Sequence, residues 1–358
     1  MLVGWRPDAL RERLQDEQPD AGSGASDTAA DVSAPPVARG DQTGRVGLFV
    51  ATNTRTWNKQ LDAQEVDGVA VLLVQPDGPS GGAGLEPGDV ITAVNGEPSY
   101  NVDQAVFRQL RAVPGTDLVF DVATKGGGTK TATVTAREPG TVDYDALFQP
   151  FLDANPDDAV VWFLRAQTEG RTFNDALADA EKAIELSPGF VEAIAFRAEL
   201  LWGRTLGNQV SGAEKDELRD RALNDWDLAL DLDPDNLRAL VSRARALADL
   251  GSPAPGKADA EKAIEMDEHY ASAYGALGLA EYRLARYGSA ARATRKALDL
   301  NPYDIRYYEI LAASFMQLGR QEDAQKTVDA IIDLVPVQAA RERLLAIPQA
   351  GARGSSGS

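Results

Sequence analysis

The sequence predicts a multidomain chain in which a small β-rich domain precedes an all-α solenoid of helical hairpins. Between Gly44 and Glu138, short β-branched runs are punctuated by Gly, Pro, Asn and Asp, as half-buried strands require. Beyond Glu138 the composition turns to alanine, leucine, aspartate and arginine, and a helical pattern recurs with a period of about 34 residues, that of stacked hairpins. A net charge of -19, with no cysteine and one histidine, narrows what such a fold is equipped to do.

In the first unit the runs GLFVA, VAVLLV, VITAV, LVFDVA and KTATVTA read as strands. Asn95-Gly96 signals a tight turn, because both residues tolerate positive φ, and Lys125-Gly126-Gly127-Gly128 marks the tip of a second hairpin. Between the hairpins, NVDQAVFRQLRAV places Val102, Ala105, Val106, Leu110 and Val113 on one helical face, with Asn101 as cap. In Ala83 to Gly96, AGLEPGDVITAVNG, Leu85 plugs the core, Pro87-Gly88 turns the chain, Asp89 is placed to bond the turn amides, and Val90 and Ile91 resume the strand. This stretch closely resembles the PDZ domains attached to bacterial HtrA-type proteases, a likeness that covers about 90 residues.

The helical copies begin near Ala159 (with Trp162, Ala176, Ala183 and Pro188), Val191 (Ile194, Ala222, Ala229 and Pro234), Leu237 (Leu240 and Ala263), Ala271 (Tyr274, Leu277, Ala290 and Pro302) and Ile305 (Tyr308, Leu311, Ala324 and Pro336). Small alanines let two antiparallel helices approach, large apolar residues fill between hairpins, and the proline ends each second helix. The repeat is similar to TPR arrays. The second copy carries an insertion across TLGNQVSGAEKDE, and the third has Pro253, Pro255 and Gly256 where its second helix should begin.

The expected organisation is a disordered N-terminal arm over 1–43, a PDZ-like domain over 44–138, a linker and leading helix over 139–158, five TPR-like hairpins over 159–336, a capping helix over 337–347 and a flexible tail over 348–358. Pro139-Gly140 separates the two patterns, so each domain is expected to complete its own core and fold alone.

The strong negative charge opposes binding to phosphate backbones and anionic lipid, which excludes nucleic acid and membrane surfaces as expected partners. Without cysteine there are no thiolate metal sites, and a lone imidazole, His269, set beside Asp267 and Glu268, reads as a solvated loop and not a metal site. No cofactor is expected. The N-terminal MLVGWRPDALRERLQDEQPD lacks the apolar run of a signal peptide or membrane span, which predicts a cytoplasmic chain unless the true start lies upstream.

Gly78-Pro79-Ser80-Gly81-Gly82 resembles the nucleophile loop of trypsin-like proteases, yet no histidine precedes His269 to serve as base, so it is read as a turn. Gly126 to Thr131 lacks the spacing of a phosphate loop and leads into a strand, which makes it a hairpin. No catalytic or metal-binding residue is assigned, and the chain reads as a non-enzymatic interaction scaffold whose partners are proteins bound through C-terminal or extended peptides. Two other readings are a substrate-recruiting component of an HtrA-like protease system and a cell-envelope assembly factor.

The PDZ resemblance implies a carboxylate nest at Arg45, Val46, Gly47 and Leu48, with Phe49 and Val50 continuing the peptide-pairing strand and Val102, Val106, Phe107 and Leu110 walling a groove that the 51–67 loop is able to cover. The TPR resemblance places Arg238, Arg245, Tyr282, Arg283 and Arg306 on the concave face, where arginines suit an acidic or C-terminal peptide. The lysine/asparagine clamp of chaperone-binding TPR proteins is absent, its early positions being Phe163, Gln167, Ala195 and Glu199.

Overall fold

A computed structural model describes residues 46–76, 78–102, 114–137, 143–168, 171–206, 210–302, 304–332 and 338–350. The expected N-terminal arm, Arg45, the helix expected beyond Val102 with its Val106, Phe107 and Leu110, and the tail from residue 351 lie outside these residues.

Six strands form one antiparallel sheet: β1 (Leu48–Thr52), β2 (Val69–Val74), β3 (Val90–Val94), β4 (Glu97–Pro98), β5 (Asp117–Ala123) and β6 (Thr129–Thr135). The spatial order is β1-β2-β3-β5-β6, with β4 paired to β3, so β1 lies at an edge. Asn95 (φ 53°) and Gly96 (φ 78°) take the left-handed conformations that a two-residue hairpin between β3 and β4 demands. Asp89 is buried and accepts from the amides of Glu86 and Lys125 at 3.0 and 3.2 Å while pairing with Lys130 Nζ at 2.7 Å, which ties the Pro87-Gly88 turn to the β5–β6 tip. Leu85 joins Val69, Val71, Ile91, Phe120 and Val134 in the sheet's core.

The 51–67 segment carries a short helix, α1 (Arg55–Leu61), whose Trp57 is 1% exposed.

The helical unit starts with α2 (Tyr144–Ala154), capped by Asp143, and continues as paired helices: α3 (Ala159–Ala166) with α4 (Phe173–Leu186), α5 (Val191–Leu206) with α6 (Gly212–Leu232), α7 (Leu237–Asp249) with α8 (Pro253–Met266), α9 (Ala271–Arg283) with α10 (Tyr287–Leu300), and α11 (Ile305–Gln317) with α12 (Gln321–Asp329). A last helix, α13, spans Gln338–Ala350. Asp158, Asn236 and Asp304 accept from the first-turn amides of α3, α7 and α11, which satisfies donors the helix leaves open. Pro253 sits at the start of α8, where a missing N–H costs nothing, so the prolines open that helix and do not break it. The described ends of the insertion in the second copy lengthen α5 to 16 residues and α6 to 21.

A repeated ion pair, not anticipated from the sequence, pins the first three hairpins. Arg165, Arg197 and Arg243 each grip an aspartate of the following helix (Asp179, Asp225, Asp259) through Nε and Nη2 at 2.7–2.9 Å. All sit three residues after the anchoring Trp162, Ile194 or Leu240. In the last two hairpins the matching positions are Leu277 with Ala293 and Leu311 with Thr327.

Besides the core that each unit has of its own, the two share a third. Ala70, Leu72 and Leu73 on the outer face of β2, with Trp57 of α1, share a hydrophobic cluster with Phe148, Val161, Phe163, Phe190 and Ala193 of the helical array. The Trp57 ring lies 5.8 Å from that of Phe163 and 5.5 Å from that of Phe190. On the far side, Tyr100 stacks on His269 at 4.2 Å and Asn101 Nδ2 donates to Asp267 Oδ2 at 2.7 Å, so the expected solvated loop at His269 is a domain contact. The expected separation of the two cores is thus incomplete at one place: β2 is buried on both faces, and one of those faces packs against the array. Replacing a fully buried tryptophan by alanine costs about 3–5 kcal/mol. Trp57→Ala is expected to lower the urea midpoint of the far-ultraviolet helical signal, although the residue lies outside the array. An unchanged helical transition would show that the units are uncoupled.

Candidate functional site

Strand β1 and the first helices of successive hairpins face each other across a cavity of about 530 Å³. Phe49, Val50, Ala51 and Thr52 form one wall, Thr54 and Trp57 of the 51–67 segment close one side, and Phe163, Gln167, Glu199, Arg238, Ser242 and Arg245 from α3, α5 and α7 stand opposite. The alternation along β1 explains the arrangement. Leu48 and Val50 pack into the sheet's core, whereas Phe49 and Ala51 turn toward the array, with Phe49 edge-on to Phe148 at 5.3 Å and near Tyr144 at 6.5 Å.

The start of β1 is fixed by the turn that follows β2. Gly47 has φ +74°, and a Cβ there would lie 3.0 Å from Gly78 Cα, so only glycine fits without displacing backbone. Its carbonyl accepts from the Gln75 amide at 2.9 Å. Val46 is core, and its carbonyl accepts both the Ser80 amide at 3.0 Å and the Ser80 hydroxyl at 2.6 Å. Ser80 is wholly buried, and its hydroxyl serves the turn that shapes the start of β1.

Opposite, Arg238 donates from Nε and Nη2 to Glu199 at 2.9 and 2.6 Å and from Nη1 to Gln167 at 3.0 Å, and its guanidinium lies 5.1 Å from the Phe196 ring centroid. Burial works against its charge, but Glu199 more than offsets that, and its pKa lies above the ordinary value. Ser242 Oγ donates to Glu199 at 2.7 Å. Arg245 is half-buried and differs: Nη2 donates to the Ser272 carbonyl at 3.2 Å, and no carboxylate among the described residues pairs with it.

Glu192 sits where the two units and the cavity meet. One carboxyl oxygen accepts from Thr54 Oγ1 at 3.1 Å and from Asn236 Nδ2 at 3.3 Å, while Oε2 is buried with no partner. Burial pushes its pKa up to about 7, with Asp233 adding to the rise and the backbone amide, Thr54 and Arg238 opposing it.

Of the expected array residues, Arg238 and Arg245 line the cavity. Tyr282, packed edge-on to Tyr287, Arg283, paired with Asp249 at 2.7 Å, and Arg306, paired with Asp304, are not among its lining residues. Val102 does line it, and its amide donates to Thr52 Oγ1 at 3.1 Å. Sequence reasoning missed Glu192 and Trp57. The latter left a signal, a lone tryptophan in a polar stretch with no core of its own to join.

Residues 71–123 match the family model described as PDZ domain. The sheet unit has a PDZ-type fold. The helical unit resembles TPR solenoids. Among solved structures, the chain is similar to YrrB, a TPR protein with an unusual peptide-binding site (17% identity, TM-score 0.37, 56% of this chain and 97% of that one), and to TTC0263, a thermophilic TPR protein of Thermus thermophilus (20% identity, TM-score 0.43, 48% and 91%). It is also similar to the HtrA-type protease AlgW with decapeptide (25% identity, TM-score 0.27, 28% of this chain and 31% of that one). No helix among the described residues is long and apolar enough to cross a membrane.

The raised pKa of Glu192 has a signed consequence. Between its ordinary value of 4.5 and about 7 the folded chain holds the proton more tightly than the unfolded one, so stability falls as pH rises through this window and levels off above it. The full span corresponds to about 3 kcal/mol at most. Urea unfolding across that range should show wild type losing stability relative to Glu192→Gln as pH rises. A constant difference between the two would remove the buried carboxyl from the pH profile.

Proposed function

We propose that the chain is a non-catalytic adaptor that clamps one extended peptide between β1 and the concave face of the hairpin array. The observation that carries the reading is the position of β1: an edge strand whose outward residues line the same cavity as α3, α5 and α7. An edge strand offers backbone donors and acceptors to a partner strand, and the opposite wall offers arginine and amide side chains. The two surfaces expected to take separate partners therefore act on one ligand. The carboxylate of that ligand lies at the Gly47 end of β1, in the nest implied by the PDZ likeness, and its chain runs antiparallel toward Thr52. Ser80 takes no part in chemistry, because its hydroxyl is buried and committed to Val46.

Titrating the full chain with short peptides ending in a free carboxylate should give one peptide per chain, and amidation of the terminus should weaken binding. A twin of the same peptide carrying N-methyl groups on alternate amides should lose most of its affinity, since strand addition depends on those donors. Gln167→Trp, a substitution at an exposed position on the opposite wall, should weaken binding as well. Two equivalents bound per chain, or indifference to N-methylation, would refute the clamp.

A further inference from the structure

We propose that Arg245 makes the cleft select peptides with an acidic side chain about four residues before the free carboxylate. The inference rests on the strand-addition reading above and gives it a sequence preference.

The electrostatics of the wall come first. Arg245 lines the cavity with no carboxylate paired to it among the described residues, and the other charges on this wall are already satisfied or sealed. Glu199 is held by Arg238 and Ser242, while Glu192 has one oxygen engaged by Thr54 and Asn236 and the other closed off from solvent. Asp304 feels the charge of Arg245 but is gripped by Arg306 through Nε and Nη2 at 2.5–3.1 Å. Arg245 is thus oriented by the Ser272 carbonyl and still has guanidinium donors for an incoming carboxylate.

Register supplies the position. Strand residues advance about 3.3 Å each, so a ligand strand antiparallel to β1 with its carboxylate at Gly47 brings the residue about four positions upstream opposite Thr52. The Thr52 end is the end tied to the turn between α8 and α9, through Val102 N to Thr52 Oγ1, Asn101 to Asp267 and Tyr100 to His269. Ser272, which holds Arg245, follows that turn directly and lines the same cavity.

The test uses the full chain and an alanine-serine peptide ending in valine, made with Glu, Gln or Lys about four residues before the terminus, each as free acid and as amide. Fluorescence anisotropy on wild type should rank Glu above Gln by roughly tenfold, the scale of one charge-assisted hydrogen-bonded pair, and Gln above Lys. Arg245→Gln should abolish the Glu-over-Gln ratio while keeping the free-acid-over-amide ratio, and Arg245→Glu should favour Lys. Ratios within one variant are insensitive to a partly unfolded fraction, so a destabilised variant still reports. Equal binding of Glu and Gln peptides to wild type, with the free acid still preferred, would overturn this inference and leave the clamp standing. A Glu preference that survives in Arg245→Gln would do the same. Failure of every peptide to bind wild type would overturn both.

Discussion

Strand β2 is apolar on both faces, and the rest of the architecture follows from what covers them. Val69 and Val71 close the sheet's own core, while Ala70, Leu72 and Leu73 join Trp57, with Phe49, Ala51 and Leu61 beside them, in the cluster shared with the array. An exposed patch of that kind is a liability for a lone domain, and here the array covers it with Phe148, Phe163 and Phe190. Aromatic pairs of this geometry add about 0.5–1.5 kcal/mol each beyond the area they bury. The docking also sets the geometry on which the proposed clamp rests, since it holds β1, the neighbour of β2, beside the concave helices. Preorganised walls bind an extended ligand with less ordering cost than two modules on a flexible tether.

The charged pairs of the array are distributed in step with that role. Bidentate arginine–aspartate pairs lock the two helices of each of the first three hairpins, which are the hairpins that build the cleft wall. Arg243 is held so strongly by Asp259 and Asp227 that, despite burial, its pKa lies above the ordinary value. The last two hairpins have Leu277 and Leu311 at the equivalent positions and a hydrophobic cluster around Tyr307, Tyr308, Leu311 and Phe315.

Much of this was legible in the sequence because it is local. The Asn95-Gly96 turn, Leu85 in the core, Asp89 bonding the turn amides and the periodic alanines each follow from short-range rules that tertiary context did not override. What the sequence concealed is pairing between distant segments. The unbroken run VAVLLV reads equally well as a strand inside one domain or as a strand shared by two, and only the partner on its second face decides. The Arg–Asp pairs were present as a fixed offset from the hydrophobic anchors, but helix-length differences spread their separations and hid the repeat. The convergence of β1 with Arg238 and Arg245 depends on how two folds dock, for which one sequence carries no periodic signal.

That convergence changes what an adaptor of this composition is able to join. Under the proposed clamp both recognition surfaces serve one peptide, so a second partner would engage elsewhere, and the expected residues Tyr282, Arg283 and Arg306 lie outside the cleft on the later hairpins. Arg283 and Arg306 are exposed and already paired with Asp249 and Asp304, so a partner docking there has to displace or extend surface ion pairs worth about 0–1 kcal/mol each. Such pairs steer and select more than they bind, whereas in the cleft, where Arg245 sits half-buried with no ion-pair partner among the described residues, the proposed ligand carboxylate would gather the electrostatic gain on a single group.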